Sequence, residues 1–352
     1  MSESQSQQIK QMNQLTSAQA TIDDGWKHWI AVNKLLNNDE WAIIQILINN
    51  GFDAQVAFNE VRDVVNHPYF QAGNNFVHLL KKLESLLCIY TQLNELSNNL
   101  ANIKRREFIS RADFLENYYA KNTPVILTNI MQNWQALKLW NLEYLKKNYG
   151  EVEVEVQANR NSNPNYEIDS EKHKTKLLLK EYINRIIQNG MTNEYYMVAN
   201  NQALEREEMR SLLNDIEIFP EYLNSTDTRG QIFFWFGPGG TVTPLHHDTS
   251  NIFLAQVLGR KKVQLISPNQ TPLLYNYVGV FSKVDCENPD YEKYPLFRKV
   301  NIIEVLLELG EVLFIPVGWW HHVRSLDVSI SVSFTNFIFP NHYEWASPHV
   351  SL

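Results

Sequence analysis

Apolar side chains recur at intervals of three and four residues through the first third of the chain, the spacing typical of amphipathic helices. This pattern predicts a helical region over residues 21–104. Asp39 and Asp53 each precede an apolar stretch, where a short polar side chain can cap the first turn of a helix. Residues 1–20 are rich in Ser and Gln and lack this periodicity, so they are predicted to form a disordered tail.

The longest apolar stripe covers residues 76–103. Its members are Phe76, Leu79, Leu80, Leu83, Leu86, Leu87, Tyr90, Leu93, Leu96, Leu100 and Ile103. This stripe is longer than an average helix. An apolar face of that length needs an apolar partner along its whole length. Packing within an intramolecular bundle is the favoured interpretation, and a seam between two copies of the chain is the alternative.

The periodicity changes after residue 104, where short strand-like and helix-like stretches alternate. Residues 151–157 alternate strictly between polar and apolar side chains, which predicts a strand with one solvated face. The other predicted elements are helices over 110–119, 141–149 and 177–188, and strands over 123–129 and 195–199.

Beyond Gln231 the chain is dominated by short apolar stretches separated by Gly and Pro. They predict strands over 231–236, 241–248, 252–257, 262–267, 301–307, 311–315, 321–325 and 328–334. Many short strands with turn signals between them are typical of sandwiches and barrels. The predicted fold is mainly β with α, a double-stranded β-helix (jelly-roll or cupin) core over residues 105–352 preceded by an N-terminal helical bundle.

Composition and charge narrow the classes of function. The chain has 352 residues, of which 44% are hydrophobic, enough for a sizeable core. Its net charge of −8 argues against a general affinity for nucleic acid phosphates. Two cysteines are too few for a disulfide framework, no apolar stretch approaches the ~20 residues that span a bilayer, and the N-terminus lacks a signal-peptide pattern. We therefore expect a cytoplasmic protein without a membrane partner.

Candidate chemistry is concentrated in two histidine doublets. His246 and His247 precede Asp248, and His321 and His322 follow 75 residues downstream of the first doublet, after another strand-like stretch. Alternate side chains of a strand share a face, so His246 and Asp248 are predicted to point the same way. Two imidazoles and one carboxylate form the facial triad of non-haem Fe(II) oxygenases. Alternation favours His246 in the first doublet and does not choose within the second.

Three motifs in this β-rich half resemble those of the JmjC-domain, cupin-like oxygenases. They are Thr-Pro-Leu-His-His-Asp (243–248), Phe-Leu-Ala-Gln-Val-Leu-Gly-Arg-Lys (253–261) and Gly-Glu-Val-Leu-Phe-Ile-Pro-Val-Gly-Trp-Trp-His-His-Val-Arg (310–324). The resemblance extends over residues 108–339 and implies an enzyme that uses Fe(II), 2-oxoglutarate and dioxygen. Residues 235–238 and 284–290 are similar to an arginyl-hydroxylase branch of the family, and 319–322 to an asparaginyl-hydroxylase branch.

The resemblance also implies roles for single residues. It makes His246, Asp248 and His321 the metal ligands, with His247 and His322 as their neighbours.

Four further residues are implied to bind the cosubstrate. Lys261 matches the lysine that pairs with the distal carboxylate of 2-oxoglutarate, and Thr243 and Tyr196 match its hydrogen-bonding partners. Ser333 stands at a late-strand position that often holds a cosubstrate-binding asparagine, and Ile252 replaces another asparagine of several relatives.

Two further features have both a structural and a functional interpretation. Trp235, Trp319 and Trp320 are expected to serve the core rather than a substrate. A solvated loop is the favoured interpretation of an acidic run, and attraction of a basic substrate side chain is the alternative. The run consists of Asp285, Glu287, Asp290 and Glu292.

The activity implied by the resemblance is hydroxylation of a protein or peptide side chain, with arginine and asparagine as candidates. Aspartate as the carboxylate ligand fits such hydroxylases better than histone demethylases, which commonly carry glutamate there. One alternative is a 2-oxoglutarate oxygenase that acts on a small metabolite or a modified RNA base. The other is a non-catalytic, cupin-like binding module.

Overall fold

A computed structural model describes residues 21–96 and 102–346 of the chain. The chain divides between Ile89 and Tyr90 into two compact units. None of the helices in the described residues is both long enough and apolar enough to cross a membrane.

The first unit begins with three helices that pack on each other. They are α1 (Asp24–Leu35), α2 (Glu40–Asn49) and α3 (Ala54–Asp63). The Asp39 carboxylate accepts a hydrogen bond from the Ala42 amide at 2.8 Å, and Asp53 caps α3 in the same way, which confirms both predicted N-caps. The apolar faces meet in a core that includes Ile30, Ile44, Leu47, Ala57 and Val61.

The long helix α4 (Pro68–Leu96) differs from its prediction in its bounds and its packing. It begins at Pro68, because the first helical position tolerates a missing N–H. Ile103, predicted at its end, lies outside the helix and is buried in the core of the second unit. Leu100 lies outside the described residues. No residue of α4 is buried, so the helix does not contribute to the core of the predicted bundle.

The second unit contains the predicted β-rich core. Its described strands are β1 (Arg105–Arg106), β2 (Val125–Leu127), β3 (Glu153–Gln157), β4 (Lys174–Leu178), β5 (Ile232–Gly237), β6 (Val242–His247), β7 (Ile252–Leu258), β8 (Lys261–Ile266), β9 (Asn276–Val278), β10 (Phe281–Ser282), β11 (Ile303–Leu307), β12 (Val312–Ile315), β13 (Trp320–Ser325) and β14 (Ser329–Phe334). Its described helices are α5 (Arg111–Phe114), α6 (Ala136–Leu139), α7 (Leu142–Tyr149), α8 (Ser170–His173), α9 (Leu179–Asn189) and α10 (Glu207–Arg210).

Two six-stranded sheets form a jelly-roll sandwich, which confirms the predicted fold class. The strand orders are β1-β2-β12-β7-β14-β5 in the first sheet and β11-β8-β13-β6-β10-β9 in the second. Non-sequential neighbours such as β13 and β6 bring distant parts of the chain side by side. This connectivity positions the two histidine doublets on adjacent strands.

The central strands of the first sheet, β2, β12, β7 and β14, are buried on both faces, which explains why their residues are almost all apolar or small. Phe253 and Phe314 are paired in register and pack in a core shared with the helices of the second unit. Leu254 and Leu313 point the opposite way, into the interior between the two sheets. Alternation along these strands therefore divides their side chains between two separate cores.

Two predicted elements are corrected. Leu177 and Leu178, predicted as helical, end β4, because Leu177 pairs with Val154 across the β3–β4 hairpin. The predicted strand over 195–199 is reduced to two isolated bridges, Gln157 with Tyr196 and Met197 with Phe236. A short 3-10 turn begins immediately afterwards at Ala199.

The turn between β7 and β8 generates a stability prediction. Gly259 has φ +70°, and a Cβ there would lie 2.2 Å from the Val328 carbonyl oxygen. Gly259→Ala is expected to lower the free energy of unfolding by about 3 kcal/mol, because it adds backbone strain to a steric clash. The matched control Gly279→Ala also has a positive φ but meets nothing within 4 Å, and should cost about 1 kcal/mol. If urea denaturation shows that the two variants lose the same free energy of unfolding, the close contact with Val328 does not contribute to the effect.

Candidate metal centre

The candidate metal ligands come from two adjacent strands. β6 and β13 pair antiparallel, and their register sets His321 opposite His246. Asp248 directly follows the last residue of β6. Paired positions of neighbouring strands lie about 5 Å apart, so side chains on the same face can converge on one ion.

The three side chains lie close enough to share a metal. One candidate ligand atom from each of His246, Asp248 and His321 lies within 4.8 Å of the other two. Nε2 of His321 lies 3.4 Å from Oδ2 of Asp248, and the two imidazole centroids are 4.1 Å apart. Two nitrogen donors and one carboxylate oxygen suit Fe(II) and leave positions for exogenous ligands. The donor set therefore fits the metal implied by the sequence.

Backbone carbonyls orient both imidazoles. Nδ1 of His246 donates to the Pro244 carbonyl at 2.8 Å, and Nδ1 of His321 donates to the Trp319 carbonyl at 3.0 Å. Because a carbonyl only accepts, the neutral ring carries its proton on Nδ1 and leaves the Nε2 lone pair for a metal. Burial, reinforced by the adjacent His246, lowers the pKa of His321 to about 4, although the Asp248 carboxylate opposes this effect. His321 is therefore neutral at pH 7, as a metal ligand must be.

The second member of each doublet has a different environment. The His247 ring packs edge-on against Trp320 and Trp345, with centroid separations of 4.8 and 5.2 Å. His322 pairs in register with Gln264 and lines a separate cavity. The structure thus separates His321, which lies beside His246 and Asp248, from His322, which does not. The sequence pattern alone had not chosen between these two histidines.

A β-bulge turns Thr243 toward the cluster. Between the pairs His321–His246 and Val323–Thr243, β13 advances by two positions whereas β6 advances by three. The extra residue in β6 resets the alternation, so Thr243 and His246 line the same cavity despite their odd spacing. The bulge includes Pro244, a residue that cannot donate a ladder hydrogen bond.

A cavity of about 270 Å³ adjoins the cluster. It is lined by every site residue predicted from the sequence: Tyr196, Thr243, His246, Asp248, Lys261, His321 and Ser333. Apolar side chains complete much of the wall, among them Phe233, Ile252, Leu254, Ile315 and Val323. The cavity therefore combines a set of polar groups with largely apolar walls.

Lys261 brings a buried positive charge into this cavity. The side chain is 2% exposed, and its ammonium donates to the Tyr196 hydroxyl at 3.1 Å. Burial lowers the pKa of Lys261 to about 7, and among the described residues no carboxylate forms an ion pair with it. A buried cation without a counter-ion favours an anionic ligand.

Arg160 supports the residues around Lys261 and was missed by the sequence analysis. Its guanidinium carbon lies 5.2 Å from the centroid of the Tyr196 ring. The same group donates to Glu167 and to the Val242 carbonyl, each at 2.7 Å. It therefore fixes both Tyr196 and the first residue of β6. Residues 159–169 read as a polar loop, and nothing in that pattern indicates a buried arginine.

Trp235 lines the cavity, which corrects its expected place in the core. Its indole N–H donates to the Ser333 hydroxyl at 2.9 Å, and the Lys261 ammonium lies 5.8 Å from its ring centroid. Phe234 and Phe236 are buried in the core on the other face of β5. Strict alternation along residues 232–237 would have identified Trp235.

The acidic run stabilises its own loop instead of the cavity. Glu287 accepts hydrogen bonds from Nε of Arg324 at 2.7 and 2.9 Å and pairs with Lys262 at 3.1 Å. Burial acts to raise the pKa of Glu287, but these cations outweigh it and lower the pKa to about 2. Asp285 and Asp290 accept hydrogen bonds from nearby backbone amides. None of the run lines the 270 Å³ cavity, so it gives no support for attraction of a basic side chain into the site.

Comparison with known proteins identifies similar sequences. The profile of the cupin-like domain family matches residues 111–338. The chain is 36% identical over 228 residues to lysine-specific demethylase 8 of Xenopus tropicalis, covering 63% of this chain and 49% of that protein. It is 33% identical over 268 residues to lysine-specific demethylase JMJ30 of Arabidopsis thaliana, covering 74% of this chain and 60% of that protein.

A third relative is named for a different activity. The chain is 30% identical over 239 residues to tRNA wybutosine-synthesizing protein 5 of Gallus gallus, covering 64% of this chain and 74% of that protein. The alignments with the two demethylases span only 49% and 60% of those proteins, so similarity is limited to a part of each.

Lys261 generates a prediction about pH. The affinity for 2-oxoglutarate is expected to fall as pH rises, because a carboxylate binds the protonated ammonium more tightly than the neutral amine. With a pKa of about 7 in the ligand-free protein, the dissociation constant should be flat below neutrality. Above neutrality it should rise roughly tenfold per pH unit until the raised pKa of the complex is reached. Anaerobic titration calorimetry between about pH 6 and pH 9 measures this slope.

Two adjacent lysines provide matched variants for that experiment. Lys261→Met should weaken binding and abolish the slope. Lys262→Met removes a cation that pairs with Glu287, so it should preserve both the affinity and the slope. A dissociation constant of the unmodified protein that does not change with pH would contradict the role of Lys261.

Proposed function

Because this chain belongs to the cupin-like domain family of JmjC proteins, we propose that it is an Fe(II)- and 2-oxoglutarate-dependent dioxygenase that hydroxylates a side chain of a protein or peptide. The observation that supports this most is the His246–Asp248–His321 cluster in the same cavity as the buried Lys261 ammonium. A binding module without catalytic function has no need for a buried cation beside such a donor set. We assign the activity to residues 105–352.

JmjC homologues use Fe(II), with 2-oxoglutarate and dioxygen as cosubstrates. We propose that His246, Asp248 and His321 hold the iron. When bound, the iron supplies the oxidising chemistry by which one oxygen atom enters succinate and the other converts a substrate C–H to C–OH, with release of carbon dioxide.

The side chains of the cavity divide the remaining tasks. Lys261 neutralises the distal carboxylate of 2-oxoglutarate, since its ammonium is desolvated before the ligand arrives. The hydroxyl groups of Thr243, Tyr196 and Ser333 orient that carboxylate without competing for the metal. The apolar wall excludes water, which strengthens these polar contacts and holds the cosubstrate in one orientation.

The proposed class of substrate, a protein side chain, rests on the net charge of the chain and on the names of its relatives. Two similar proteins are named lysine-specific demethylases, which is consistent with a protein side chain as substrate. The net charge of −8 opposes a polyanionic substrate such as tRNA. The name of the Gallus gallus relative nevertheless makes a modified RNA base the second candidate.

The adjacent histidines of β6 provide a test of the metal ligands. His246→Ala is expected to remove the visible charge-transfer absorption that Fe(II) and 2-oxoglutarate give under anaerobic conditions, and to reduce succinate formation at least 100-fold. His247→Ala, whose ring packs on Trp320 and Trp345, should retain both signals.

Thermal unfolding of both variants separates loss of the metal from loss of the fold. Retained absorption in folded His246→Ala would contradict the proposed ligand set.

The substrate class is tested by aerobic incubation of the iron-loaded protein with a peptide library, a metabolite mixture and tRNA. Peptides are expected to increase succinate release and to gain one oxygen atom by mass spectrometry. Stimulation by tRNA alone would favour the second candidate. Succinate release that is increased by metabolites alone would contradict both the protein side chain and the RNA base as substrates.

A further inference from the structure

The apolar side of α4 follows a strict heptad repeat. Eight positions are separated alternately by three and four residues: Tyr69, Ala72, Phe76, Leu79, Leu83, Leu86, Tyr90 and Leu93. We call these eight residues the α4 seam. A repeat of 3.5 residues keeps a stripe aligned with a second helix over its whole length, through a left-handed supercoil.

The α4 seam is exposed along its whole length. All eight residues are exposed, and the large ones expose between 45% and 84% of their surface. Leu80, Ile89 and Leu96 widen the exposed apolar surface on both flanks. These eleven side chains form one contiguous exposed apolar surface along the helix, whereas apolar residues on the surface of a monomer are normally scattered singly. Such a surface indicates a binding partner.

Charge distribution supports the same conclusion. The charged residues of α4 are Lys81, Lys82, Glu84 and Glu95. None occupies the α4 seam, and only Lys82 is at a flanking position of the heptad. Most charges are therefore on the sides of the helix that face away from a paired partner.

The described helices of this chain cannot cover the α4 seam. Each of the others has at most 12 residues, whereas α4 has 29. The three preceding helices also bury their apolar faces in their own core. A helix of 29 residues is about 43 Å long, so its partner needs the same length and the same repeat. A second copy of the chain provides both.

We propose that α4 pairs with α4 of a second copy and makes the protein a homodimer through a coiled coil. In such a pair the exposed apolar residues of each α4 seam are covered by those of the other copy along the whole helix. This proposal is independent of the proposed catalytic function, since no residue of the α4 seam lines the metal cavity.

Light scattering on the full chain tests the dimer. The unmodified protein is expected to have twice the 41.1 kDa chain mass at micromolar concentration. Leu83→Asp combined with Leu86→Asp puts four charges into the seam of each dimer. This should weaken association at least 1,000-fold and give the mass of one chain.

Matched controls distinguish the seam from a general loss of folding. His78→Asp combined with Ser85→Asp introduces the same charges on the outward side of α4, and should leave the dimer intact. Leu83→Gln combined with Leu86→Gln provides an uncharged seam variant that should also dissociate. Helical circular dichroism should be retained in every monomeric variant through α1–α3 and the second unit.

Three results would overturn the proposal. The first is a single-chain mass for the unmodified protein at every concentration, as expected if the seam binds another segment of its own chain. The second is a seam variant that remains dimeric, because the interface would then lie elsewhere. The third is equal dissociation of the outward-side control.

Discussion

The register between β6 and β13 is the constraint on which the candidate site depends. It sets His321 opposite His246, and a slip of one residue would bring His322 to that position instead. Such a slip would also exchange faces for Trp320 and Val323, which are buried in different cores. Core packing on both sides of the sheet therefore fixes the geometry of the metal ligands.

Burial serves opposite purposes for two groups in the cavity. It keeps His321 neutral, which suits a metal ligand, and it makes the charged form of Lys261 costly until an anion arrives. The Tyr196 hydroxyl is the hydrogen-bonding partner of that ammonium, and buried Arg160 lies against the Tyr196 ring. Through its contact with Tyr196, Arg160 thus links a loop outside the sheets to the position where we expect the cosubstrate to bind.

The sequence predicted eight of the ten described strands from residue 231 onward, because a period of two and Gly/Pro turns are local signals. It missed β9 and β10, which have only three and two residues and are too short to show that period. It also predicted seven residues that share one cavity, since the motifs around His246, Lys261 and His321 carry a specific resemblance. The bulge at Pro244 was not predictable, because one inserted residue depends on how β6 pairs with β13. Arg160 and Ile103 were missed for a similar reason: only tertiary packing shows that a loop arginine or a residue beyond a helix is buried.

The central claim is that two imidazoles and one carboxylate from neighbouring strands hold one metal ion. Pulsed electron paramagnetic resonance of the protein titrated with Mn(II), a surrogate for Fe(II), measures this most directly. The account predicts one saturable Mn(II) per chain with couplings to two imidazole nitrogens. In His321→Ala the number of coupled imidazole nitrogens should fall to one. Saturable binding without imidazole coupling, or no saturable binding at all, would contradict it.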